Sequence, residues 1–106
     1  MTAYAIANLR DVNLGAGIVE YLERIDATLA PYQGHFIVHG DEPERMDGHW
    51  VGTPVVIAFP SVEHAQDWYA SPSYQAILPL RTENSTSDTI IVGGVGPEHK
   101  ATDVLG

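Results

Sequence analysis

The chain contains no cysteine, which removes disulfides, thiolate nucleophiles and thiolate metal sites together. Basic residues are scarce as well: Arg10, Arg24, Arg45, Arg81 and Lys100 stand against fourteen acidic side chains, for a formal charge of -9. That balance repels a phosphate backbone and anionic lipid headgroups, and the five cations are too scattered to form a compensating stripe. Neither nucleic acid nor a membrane surface is an expected partner. No apolar run approaches the roughly 20 residues of a membrane span, and the opening MTAYAIANLR has no basic segment followed by an apolar stretch. The default expectation is a cytoplasmic protein. A glycine-rich phosphate loop is missing too, since Gly93, Gly94 and Gly96 follow the last predicted strand with no helix beyond them.

What remains is a chain of 106 residues, 44% hydrophobic and 18% charged, the composition and size of one globular domain. The domain is expected over residues 1–96, with 97–106 (PEHKATDVLG) as a mobile tail. Ala3 to Leu9 reads as a strand with Tyr4, Ile6 and Asn8 on one face and Ala3, Ala5, Ala7 and Leu9 on the other. Leu14, Ile18, Tyr21, Leu22, Ile25 and Leu29 then fall at helical spacing, with Asp11 or Asn13 as the cap and Pro31 and Gly34 as the stop. Gly34 to Gly40 predicts a second strand, with His35, Ile37 and His39 opposite Phe36 and Val38. An acidic, turn-rich connection over 41–53 leads to a third strand, Pro54 to Phe59, apolar on both faces.

Ser61 caps a second helical segment carrying Val62, Ala65, Trp68 and Tyr69, and Ser71-Pro72 restarts it for Tyr74, Ile77 and Leu78. Pro79 is expected to kink or end that turn. Thr89 to Val92 predicts the fourth strand. The order strand, helix, strand, strand, helix, strand is that of a ferredoxin-like α+β domain, a four-stranded antiparallel sheet with both helical segments on one face. Helices for one face and apolar residues on both imply that a second copy covers the other, so the expected partner is the chain itself, as a homodimer through the open sheet face.

The segments AYAIANL, QGHFIVHGDEPERMDGHW and FPSVEHAQDWYASPSYQAILPLR together resemble domain-of-unknown-function family 1330, of the dimeric α/β-barrel superfamily. The likeness spans roughly residues 3–95 and is most specific over Trp68 to Arg81, where Trp-Tyr, Ser-Pro, Tyr74 and Arg81 recur at family-like spacing. The resemblance implies a ferredoxin-like protomer, two of which join their sheets into a barrel, with a pocket between sheet and helices and no established reaction. Two positions depart from the family pattern: Asp47 replaces a Glu before Gly48, and Pro79 precedes Arg81.

Trp68, Tyr69 and Tyr74 with Arg81 form the densest functional set, aromatics that either pack the core or wall a pocket. Arg81, near apolar segments, needs a carboxylate such as Glu83, Asp88 or Asp47, or else a ligand anion. Asn8, flanked by apolar residues, is a structural pin or a polar group offered to the pocket. Asn8 with Trp68 is similar to the pair in haem-degrading monooxygenases of the same superfamily, but Leu78 stands where those enzymes need a histidine, so no cofactor is expected.

No metal is expected either. His35 and His39, four strand residues apart, are separated by roughly 13 Å, too far for one ion. Alone, His39 is a candidate general base, and Ser61, Ser71 and Ser73 are explained as caps. The leading reading is a small-molecule binding dimer, with Asn8, Trp68, Tyr69 and Tyr74 as ligand-binding residues and Arg81 and His39 as catalytic ones. In its catalytic form it is a cofactor-independent monooxygenase or isomerase acting on an apolar or aromatic anion. The alternative is a non-catalytic structural or interaction module.

Overall fold

A computed structural model describes residues 1–106. Strand β1 (Ala3–Arg10) leads into helix α1 (Ala16–Leu29) and a 3₁₀ turn (Ala30–Tyr32). Then come β2 (His35–Val38), β3 (Thr53–Phe59), α2 (Val62–Ala70), α3 (Pro72–Thr82) and β4 (Thr86–Gly93). The strands form one antiparallel sheet in the order β2-β3-β1-β4. This is the expected ferredoxin-like α+β topology, its second helical segment divided at Ser71. No helix is long and apolar enough to cross a membrane. Residues 97–106, expected as a tail, are exposed and carry a 3₁₀ turn over Ala101–Leu105, where Asp103 accepts from the Lys100 backbone.

Alternation along the strands sorts the side chains cleanly. Ala5 on β1 and Ile57 and Phe59 on β3 join Tyr21, Ile25 and Leu29 of α1, Ala65 and Trp68 of α2, and Tyr74 and Ile77 of α3 in a single core. All three helices therefore lie on one sheet face. The other face carries Tyr4, Ile6, Asn8 and Arg10 of β1 beside Val56 and Ala58 of β3 and Asp88, Ile90 and Val92 of β4. Ile90 is 57% exposed and Val92 43%, so the chain leaves apolar surface there uncovered.

Several local expectations give way to tertiary contacts. Helix α1 starts at Ala16 after Gly15, with no side-chain cap from Asp11 or Asn13. The Asn13 backbone N–H instead donates to the Asn84 carbonyl at 2.8 Å, tying the start of α1 to the end of α3. Leu14 precedes the helix and is exposed rather than packed. In β2 the register shifts between Phe36 and Val38, a bulge that pairs His35 with Ala58 and Val38 with Val56. His35 and His39 therefore do not share a face: His39 stacks on Phe36, with ring centroids 4.4 Å apart, on the helix side. Strand β4 begins three residues earlier than expected because Thr86, Ser87 and Asp88, polar and unpatterned, pair with Arg10, Leu9 and Asn8.

Pro79 does not end its helix, as its own pattern predicted. Helix α3 runs on to Thr82, and its last turns are held by Glu83 N–H to the Pro79 carbonyl, Asn84 Nδ2 to Leu80 and Ser85 Oγ to Arg81. One missing donor in the middle is outweighed by three bonds beyond it. At the other end, buried Ser71 joins two helices with one hydroxyl: Oγ donates to the Trp68 carbonyl at 2.6 Å and accepts from the Tyr74 N–H at 3.2 Å. Ser71→Ala should therefore lower the free energy of unfolding by about 1–2 kcal/mol, the upper range for a lost N-cap, in urea denaturation. A change below a few tenths would show that the cap does not hold the α2–α3 corner.

Candidate functional site

The central strand is the reason a cavity exists. Beneath the helices β1 presents Ala3, Ala5 and Ala7, whose methyl groups cannot fill the space between sheet and helices that larger neighbours hold open. Trp68 fills one end of that space: 2% exposed, it packs its ring against Phe59 (centroids 5.4 Å apart) and Tyr74 (4.1 Å). Its Nε1 donates to Thr28 Oγ1 at 3.0 Å, and Thr28 in turn donates to the Ile25 carbonyl. The remainder is a cavity of about 80 Å³, walled chiefly by hydrocarbon from β1, α1 and β3. Among its lining residues Val12, Leu22 and His39 are exposed and mark the mouth.

The polar groups of the cavity are few and interconnected. Tyr21 of α1 and Tyr74 of α3 exchange a hydrogen bond of 2.7 Å between their hydroxyls, with the rings edge to face. Gly17, one turn before Tyr21, lies against the Asn84 side chain just beyond α3, where a Cβ would stand 2.5 Å from Nδ2. Arg81, one helical turn past Ile77, is 6% exposed and donates to Ser87 Oγ on β4. It makes no ion pair. Asp88, one of its expected partners, binds Arg10 at 2.7 Å on the opposite sheet face, and neither Asp47 nor Glu83 reaches the guanidinium.

Burial raises the Tyr21 hydroxyl well above the ordinary phenol range, the adjacent Tyr74 raises it further, and Arg81 pulls it back in part. For Arg81 burial works to lower the pKa, but the two tyrosine oxygens outweigh it and the guanidinium keeps its charge. The result is a buried cation beside two hydrogen-bonded phenols at one end of an apolar chamber. Such a group can receive an anionic oxygen through hydrogen bonds from the guanidinium and from whichever phenol proton the Tyr21–Tyr74 pair leaves free.

The residues singled out from sequence divide between this cavity and elsewhere. Trp68, Tyr74, Arg81 and His39 all line it. Asn8 does not: it projects from the open face of β1, where Nδ2 donates to the Val51 carbonyl at 2.9 Å. The alternation that pairs it with Tyr4 and Ile6 turns it away from the helices. Tyr69 is also outside the lining; its ring packs edge-on to Trp68, while its carbonyl accepts from Gln75 Nε2. Sequence reasoning passed over Tyr21, treated as part of an apolar helix face, and Thr89, treated only as a strand start. The available signal was a phenol one helical turn from Ile25 and a hydroxyl in the strand register of Ile91. No group of three or more His, Cys, Asp or Glu is arranged to hold a metal ion.

The tyrosine pair makes a prediction about alkaline stability. Because the Tyr21 hydroxyl holds its proton in the folded chain at a pH where an unfolded phenol releases it, its contribution is intact below about pH 10 and is lost as pH rises beyond that. Phenolate absorbance should show some of the five tyrosines ionising only as the protein unfolds, and Tyr21→Phe should flatten the fall of stability above about pH 10. Titration of every tyrosine together in the native state would contradict this.

Comparison with known structures finds the same architecture at low sequence identity. A protein of unknown function from Rhodopseudomonas palustris is 14% identical, with a TM-score of 0.67 over 91% of this chain and 84% of that one. A dimeric ferredoxin-like protein of unknown function from Jannaschia sp. CCS1 is 12% identical, with a TM-score of 0.70 over 89% of this chain and 100% of the other. SnoaB, a cofactor-independent oxygenase from Streptomyces nogalater, is 14% identical in a mutant form, with a TM-score of 0.64 over 93% of this chain and 98% of that one. At such identities the likeness shows the fold alone. Among curated proteins none matches in sequence. The match that reaches beyond fold covers residues 2–95, and by it the chain belongs to the family described as domain of unknown function DUF1330.

Proposed function

We propose that this chain is a homodimeric binding protein for a small anionic compound with an apolar body, held in the cavity of each protomer. The observation that carries the reading is Arg81, a buried guanidinium with no carboxylate partner at the end of a chamber otherwise lined by hydrocarbon. The phenol oxygens and the Ser87 hydroxyl support the cation without neutralising it, so an anionic group brought by a ligand supplies the counter-charge that the protein does not. The apolar walls then select a hydrophobic body over a hydrated ion.

In its catalytic form the same site works without a cofactor, as an oxygenase or isomerase. Arg81 and the Tyr21–Tyr74 pair hold an oxyanion as charge develops on an enolate, His39 at the mouth accepts the proton, and the aromatic walls keep water out. The cofactor-independent oxygenase among the similar structures supports this choice of chemistry. A calorimetric series of small aromatic and aliphatic carboxylates against their amides tests the binding step. The acids should bind and the amides should not, and Arg81→Met should weaken acid binding by at least about tenfold while leaving the fold intact, the loss of one charge-assisted hydrogen bond being worth about 1.5–3 kcal/mol. Equal binding of acids and amides, or an indifferent Arg81→Met, would remove the reading.

The second copy is part of the proposal. Ile90 and Val92 are uncovered on the open sheet face beside Ile6 and Tyr4, only 16 of 106 residues are buried within the chain, and two similar structures are described as dimeric. The radius of gyration is 15.0 Å, against about 13 Å for a compact domain of this size. The chain is therefore less compact than a self-contained domain of its length. Sedimentation should give a dimer at micromolar concentration, and Ile90→Asp, which puts a charge beside Ile6 at the middle of that face, should shift it to monomer without loss of helix content. A monomeric parent protein would overturn the dimer.

A further inference from the structure

Within the cavity one polar atom is left over. Thr89 Oγ1 is buried and has no hydrogen-bond partner, although Thr89 lies among the cavity-lining residues. Its cross-strand neighbour on β1 is Ala7, which has nothing to bond with and too little volume to cover it. An unpartnered buried hydroxyl costs free energy, and valine would fill the same volume on a strand without that cost. Two residues before it on the same face of β4, Ser87 accepts the hydrogen bond of Arg81. The anchor of the cation and the free hydroxyl are thus about 7 Å apart, the two-residue repeat of a strand. That is close to the span of one six-membered ring with a polar group at each end.

We propose that Thr89 is a second ligand-reading group, so that the compound bound here is a compact, single-ring acid carrying a hydroxyl or carbonyl oxygen opposite its anionic group. The inference rests on the proposed binding site at Arg81 and adds to it the identity of the far end. The anion meets Arg81, the ring lies against Ala5, Ala7 and Ile57, and the second oxygen meets Thr89, whose hydroxyl both donates and accepts. The room available sets the limit: about 80 Å³ is less than the roughly 150 Å³ apolar cavity that takes benzene, so a single ring enters only by extending into the open mouth, and a fused ring system does not fit.

The test is a pair of matched acids, para-hydroxybenzoate and benzoate, titrated calorimetrically into the parent protein and into Thr89→Val. The parent should prefer the hydroxy acid by about tenfold, the ratio given by one net hydrogen bond. Thr89→Val should bring that ratio to about one while keeping benzoate affinity and a thermal midpoint no lower than the parent's. A parent that binds both acids equally, or a preference that survives Thr89→Val, overturns the inference while the Arg81 site stands. A marked drop in the thermal midpoint of Thr89→Val also overturns it, since the hydroxyl would then have a structural partner. If the parent binds neither acid and no other carboxylate, the Arg81 site itself falls and the role of Thr89 with it.

Discussion

The stripe of alanines on β1 is the constraint on which the molecule depends. A central strand normally contributes the largest side chains to a core; here Ala3, Ala5 and Ala7 contribute methyl groups, and the helices are held above them by Trp68, Phe59 and Tyr74. The space is filled around Trp68, where four aromatic rings meet. Toward the other end of the strand the same spacing is not refilled. The sheet and the helices therefore do not close on each other, and a cavity of about 80 Å³ remains between them.

The polar end of that space is built by parts that each need the others. Gly17 lets α1 lie against the Asn84 side chain, one turn before Tyr21 meets Tyr74; the capping hydroxyl of Ser71 sets where α3 begins and hence where Tyr74 and Arg81 fall along it. The phenols satisfy one another while leaving Arg81 without an acid, an arrangement that a chain with fourteen carboxylates could easily have avoided. An arginine held for stability alone gains most from a carboxylate, since the pair offsets the desolvation that the cation suffers by itself. Asp88, one of the expected partners of Arg81, is turned to the far face of the sheet and paired with Arg10.

Much of the fold was legible because two periods, two and 3.6, alternate cleanly along the chain and because the order of elements admits few topologies. The site was legible only in part. Trp68 on α2 and Tyr74 and Arg81 on α3 lie within fourteen residues of one another across the Ser71 corner, so local spacing together with the family resemblance could group them. Tyr21 and Thr89 reach the same cavity from α1 and β4, and nothing near them in sequence marks a hydroxyl as cavity-facing. Asn8 was misplaced by reasoning from polarity: a lone amide among apolar neighbours is conspicuous on either face, and the strand period, which put it with Tyr4 and Ile6, was the better guide. The end of α3 was misread for a similar reason, since Pro79 is a local signal and the bonds that outweigh it come from Glu83, Asn84 and Ser85.

His39 shows how one irregularity can decide what a site contains. On a regular strand it would share a face with His35, opposite Phe36, and would look away from the helices. The shift between Phe36 and Val38 inserts one residue into the alternation, so the chain beyond it changes face, and His39 folds back onto Phe36. Because β2 is an edge strand, the bulge costs only pairing at the margin of the sheet and leaves the β1–β3 and β1–β4 ladders intact. The exposed end of the cavity thereby gains an imidazole while its buried end keeps the guanidinium, and an apolar floor of alanine and isoleucine lies between the two. The chamber is thus asymmetric, with an exposed imidazole at its mouth and a buried guanidinium at its inner end.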